Sequence, residues 1–101
     1  MRIKVELDRE VLWFVRRQCS KAEQDAFYAA LDRVFADPVA MIRGSEGHYD
    51  PELSRYMERF FRFGDCIAIF ETNRGRDRAR VRKCQRVQRP KTEPGRPNGR
   101  P

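Results

Sequence analysis

In the stretch CIAIF, residues 66–70, an extended chain puts Ile67 and Ile69 on one side and Ala68 and Phe70 on the other. A strand that is apolar on both sides belongs in the middle of a sheet, with a neighbour on each edge. Both neighbours are legible nearby. RYMERFFRF (55–63) precedes it across Gly64-Asp65, a tight-turn pair, and RARVRKCQRV (78–87) follows it across the looser NRGRD (73–77). The second half of the chain therefore reads as a three-stranded antiparallel meander.

The first half carries a different rhythm. RIKVEL (2–7) alternates, with Ile3, Val5 and Leu7 on one side, and predicts a half-buried strand. Asp8 suits the N-cap of a short helix over 9–18, where Val11, Leu12, Phe14 and Val15 recur at helical spacing. SKAE (20–23) is a capping box, and Phe27, Ala30, Leu31, Val34 and Phe35 then follow the i, i+3, i+4, i+7, i+8 pattern of a helix buried on one face. Pro38 is expected to stop that helix, because it disfavours helical geometry at Asp37. A two-residue connection makes the two helices an antiparallel hairpin. Residues 38–54 read as a long loop, with a turn of helix at 51–55. The whole predicts an α+β fold: an N-terminal strand and a helical hairpin packed on an antiparallel sheet. The domain is expected to span 1–88. The Pro/Gly-rich, basic segment 89–101 is too poor in apolar residues to pack and is expected to be a disordered tail.

Charge is distributed unevenly along this outline. Residues 1–51 hold eight Lys/Arg and nine Asp/Glu, whereas 52–86 hold ten and five and 87–101 hold four and one, within a total of +7. Basic charge concentrated in one half points to an anionic partner, nucleic acid above all. A membrane surface fits less well, since the basic region reads as strands and no run of about 20 apolar residues exists. The start lacks the apolar stretch of a secretory signal, so a cytoplasmic location is expected. Cys19, Cys66 and Cys84 form no CxxC pair and, with a single histidine, offer no metal ligand set; plain reduced thiols, no metal and no cofactor are expected.

In the last strand Ala79 and Val81 should face the helices, and Arg80, Arg82, Cys84 and Arg86 should face away. Arg80, Arg82, Lys83 and Arg86 are then candidates for phosphate contact, with a solvated strand edge as the alternative. Arg55, Arg59 and Arg62 on the preceding basic strand are further candidates, although Glu58 and Asp65 are available to pair with Arg59 and Arg62. His48 is the only side chain titrating near neutrality and is the candidate acid/base, against an ordinary loop histidine. One of Phe60, Phe61 and Phe63, if exposed on the open face, is placed to stack on a base.

This order of elements resembles the RelE/ParE family of toxins from bacterial type II toxin–antitoxin systems. The resemblance rests on LDRVFADP (31–38), on the hairpin RFFRFGDCIAIFE (59–71) and on RVRKCQRV (80–87). It implies a concave basic surface and a cognate antitoxin that covers it. It also implies one of two activities: metal-independent cleavage of mRNA on the ribosome, or inhibition of DNA gyrase without catalysis. A third reading is a passive nucleic-acid-binding module of the same fold. For the cleaving branch it assigns RNA binding to Arg59 and Arg62 and a late-strand role to Arg86; Arg59, Arg82 and Arg86 are then expected to neutralise phosphate, with Arg62, Arg80 and Lys83 assisting. Two positions depart from the family pattern. Cys66 stands where an Arg is common after the turn, and VQRPKTEP (87–94) holds neither Tyr nor His.

Overall fold

The computed structural model describes residues 2–50, 52 and 55–87. Eight elements follow one another: β1 (Lys4–Leu7), α1 (Arg9–Gln18), α2 (Lys21–Val34), α3 (Pro38–Arg43), β2 (Glu46–Asp50), β3 (Arg55–Phe63), β4 (Cys66–Thr72) and β5 (Arg78–Arg86). The strands form one sheet in the order β1-β5-β4-β3-β2. β1 runs parallel to β5, and every other pair is antiparallel. CIAIF lies on the central strand β4, as its two apolar sides require. The expected tail, 89–101, lies outside the described residues, and none of the described helices is long and apolar enough to cross a membrane.

The helices cover one face only. Val11 and Val15 of α1 and Phe27, Ala30 and Val34 of α2 are buried against Phe61, Phe63, Cys66, Ala68, Phe70, Ala79 and Val81 of the sheet. Aromatic edges meet faces there, with ring centroids 5.0 Å apart for both Phe27–Phe63 and Phe35–Phe70. The capping box forms as expected: Ser20 Oγ accepts from the Glu23 amide, and Glu23 accepts from the Ser20 amide. The turn between β3 and β4 needs Gly64, whose φ is +56°.

Three expectations are corrected. Residues 38–50, expected to be part of a long loop, form a helix and a strand instead. Pro38 does not end α2, which stops at Val34; it opens α3, where the Asp37 carboxylate accepts from the Ala40 amide at 2.8 Å. Met41 anchors α3 in the core, and Gly44 lets it approach α2, since a Cβ there would lie 3.1 Å from Val34 Cγ2. β2 then adds an edge strand whose composition, EGHYD, shows no apolar alternation; its pairing with β3 defines it. The turn of helix expected at 51–55 falls largely outside the described residues, and Arg55 itself opens β3. Second, Asp8 occupies the N-cap of α1 as expected and its carbonyl accepts from the Leu12 amide, but its carboxylate makes no capping bond and is bonded to Arg80 instead.

The third correction concerns β5. Phe70 pairs with Val81 while Ile69 pairs with Lys83, so Arg82 is an extra residue at a β-bulge. The alternation slips there. Ala79 and Val81 face the helices as expected, but Cys84 also turns inward and is 8% exposed. Arg86 follows it to the helical side.

The two faces predict unequal tolerance. Phe61→Ala should lower stability by about 3–5 kcal/mol in urea titration. Phe60→Ala, one residue away but on the open face, should cost far less.

Candidate nucleic-acid interface

The uncovered face is built in rows that cross the strands. Arg62, Ile67 and Gln85 stand opposite one another near the Gly64 turn. Phe60, Ile69 and Lys83 form the next row. Glu71, Arg80 and Glu6 form a third, and the bulged Arg82 lies between the second and third. The face is thus an apolar floor of Phe60, Ile67 and Ile69 ringed by Arg62, Arg80, Arg82 and Lys83.

Those guanidiniums are not the bare row that RARVRKCQRV suggested. Arg80 donates to both oxygens of Asp8, at 2.7 and 3.0 Å, and lies 3.9 Å from Glu71. Arg82 donates to Glu58 and lies 3.8 Å from Glu71. Arg62 sits 3.4 Å from Glu46 and holds its guanidinium 5.7 Å from the Phe60 ring centroid. Lys83 has no ion pair among the described residues. The acids come from other strands, which explains why a contiguous segment without acids is tolerated. Arg80 holds the Asp8 carboxyl below its usual range. Pairs as exposed as these contribute about 0–1 kcal/mol each. They orient the guanidiniums without locking them.

Two candidates fall elsewhere. Arg59 stands in the inward row with Phe70 and Val81. It donates to Ser45 Oγ at 2.8 Å and to the carbonyls of Ser45 and Ile42 at 3.1 and 3.3 Å, closing the C-terminal end of α3. Arg86 stands in the inward row with Phe63 and Cys66. It donates to Glu23 at 2.7 Å and to the Gln18 carbonyl at 2.8 Å, tying the end of β5 to the α1–α2 connection. Neither belongs to the open face. Period-2 counting placed Arg86 wrongly because of the bulge. Arg59 shares the parity of the buried Phe61 and Phe63, a signal that was present in RFFRF. His48 lies on β2 and Arg55 at the start of β3, and their side chains are outside the described set. The sequence reading missed Asp8, Glu71 and Gln85 as parts of this face; only strand order brings them in.

The thiols are not part of it either. All three cysteines are unbridged. Cys66 is fully buried on the helical side, and burial pushes its thiol up to about 11; burial likewise pushes Cys84 up to about 12.

Two outcomes follow. Glu71→Gln removes a carboxylate that competes for Arg80 and Arg82, so affinity for a short RNA should rise by about two- to fivefold in a filter-binding titration. Arg86, with the Ser20 amide, holds the Glu23 carboxyl down to about 2 from 4.5. A depressed carboxyl stabilises the fold above its unfolded value and loses that contribution as pH falls toward the folded one. Urea midpoints should therefore drop between about pH 4.5 and 2, and Glu23→Gln should flatten that drop.

No family model matches the sequence, and no curated protein matches it. Among solved structures, the crystal structure of an archaeal RelE-RelB complex from Pyrococcus horikoshii OT3 is similar, with a TM-score of 0.66 and 16% identity over 85% of this chain and 96% of that one. At that identity the likeness is one of architecture. The chain has a RelE-like fold, with helices packed on one face of a five-stranded sheet.

Proposed function

We propose that this chain is the toxin component of a toxin–antitoxin pair and that it binds RNA through the open face of its sheet, acting in the cytoplasm on ribosome-bound message. One observation carries the reading. On a RelE-like fold, the sheet face that the described helices leave open presents Arg62, Arg80, Arg82 and Lys83 around an apolar floor. Guanidinium forks meet phosphate oxygens in pairs and stay charged at any working pH. The exposed carboxylates that now hold them give way to a phosphate at little cost. The similar archaeal structure is a complex of RelE with RelB, which favours an antitoxin as the physiological cover of this chain.

Binding and cleavage are separable here. Cutting RNA without a metal needs a base for the 2′-hydroxyl, cations for the phosphorane and an acid for the leaving oxygen. The open face supplies the cations. The position after the Gly64 turn supplies Cys66, which is buried on the other face with its thiol pushed up to about 11 and cannot serve there. That placement favours a second reading, in which the chain inhibits DNA gyrase by binding alone.

Expression without an antitoxin should arrest growth, and Arg80→Ala with Arg82→Ala should relieve the arrest. The log–log salt dependence of RNA binding should have a slope of about −3 for four phosphate contacts, shallower by about 1.4 in the double variant. Unchanged arrest and slope in that variant would refute the proposal. Cleavage of ribosome-programmed mRNA selects the first activity; loss of gyrase supercoiling selects the second.

A further inference from the structure

At the Gly64 end of the open face lies a depression of about 480 Å³ lined by Phe60, Arg62, Ile67, Gln85, Arg86 and Val87. Its parts are chemically distinct. Phe60 and Ile67 give it apolar walls. The ring of Phe60, unlike the buried Phe61 and Phe63, is only half-buried and already accepts a planar group, the Arg62 guanidinium. Gln85 stands directly across β4 from Arg62, with Ile67 between them. It is exposed and carries a neutral amide with both donors and an acceptor. The Arg62 guanidinium lies beside the Phe60 ring at its edge, whereas Arg86 lines the depression from β5 with its guanidinium turned to Glu23 and the Gln18 carbonyl on the helical side.

From these parts we infer that the depression is a nucleotide subsite: the base stacks on Phe60 over Ile67, Gln85 hydrogen-bonds its edge, and Arg62 attracts the attached phosphate. A flat heterocycle with a charged ester fits every part. A bare anion would leave the apolar walls and the amide unused. An aliphatic side chain or lipid tail would leave the amide and the Arg62 guanidinium unused. The subsite presupposes the nucleic-acid reading above and adds base recognition to it, since the rest of the face offers charge, which is blind to base identity.

The test titrates the purified full chain with the four ribonucleoside 5′-monophosphates and with ribose 5-phosphate, by calorimetry or NMR. The nucleotides should bind about tenfold or more tighter than the sugar phosphate, the range expected of one base stacked on an aromatic ring. Phe60→Ala should erase that margin, and Phe60→Tyr, which keeps a stacking ring, should preserve it. Gln85→Glu, which keeps the length but removes the donors, should reorder the four nucleotides. Ribose 5-phosphate binding as tightly as the nucleotides overturns the subsite, as does a margin that survives Phe60→Ala in a protein with unchanged circular dichroism. An unchanged ranking in Gln85→Glu overturns the edge contact. The broader reading fails separately. If RNA binding ignores Arg80 and Arg82 while nucleotides still discriminate, the subsite stands and the proposed docking face does not. If RNA binding follows those arginines without discrimination, the subsite alone falls.

Discussion

Each side chain on β3, β4 and β5 must go to one face of the sheet or the other, and helices cover only one of those faces. Backbone pleating imposes the first condition, and the α1–α2 hairpin imposes the second. Together they sort the composition. Phe61, Phe63, Cys66, Ala68 and Phe70 go under the helices, and Phe60, Arg62, Ile67, Ile69 and Glu71 go to the other side. Arginine appears on both sides but is satisfied differently. Arg59 and Arg86 reach past the edge of the helical layer to carbonyls near the ends of α3 and α1, where unpaired acceptors collect. Arg80 and Arg82 pair with carboxylates of neighbouring strands and of Asp8, just past β1.

Much of this was legible in the residues. CIAIF could only be central, SKAE could only start a helix, and the Phe27–Phe35 pattern could only bury one face. What stayed hidden depended on pairing between distant segments. EGHYD has no pattern of its own and becomes a strand because β3 offers it an edge. Pro38 was read as a stop because it disfavours helix before it; its other property, a fixed φ suited to a first turn, is the one the chain uses, with Asp37 as the cap. The candidate face was half visible. Charge density singles out Arg80, Arg82 and Lys83 together with Arg86, which the bulge sends to the other face, while Arg62 is singled out by its basic strand and the family resemblance. Their partners were not visible, because Asp8 is 72 residues from Arg80 in sequence.

The interleaving of acids and bases changes what the face can do. A purely cationic strip would attract any polyanion and would strain the sheet by repulsion between neighbours. Here the guanidiniums are held in set orientations by weak partners, so that on the proposed reading a phosphate would meet a donor array that is already arranged. On that reading Glu58 and Glu71, which relieve repulsion within the sheet, would also repel a phosphate strand arriving out of register.

The bulge at Arg82 makes the end of β5 a matter of odd and even. Losing Arg82 itself would straighten the strand: Val81 and Cys84 would stay inward, and Lys83 and Gln85 would stay outward opposite Ile69 and Ile67. Losing a residue past the bulge, Gln85 for example, would turn over what comes after it and carry Arg86 to the opposite face, away from Glu23. A one-residue deletion is therefore absorbed at the bulge and ruinous beyond it.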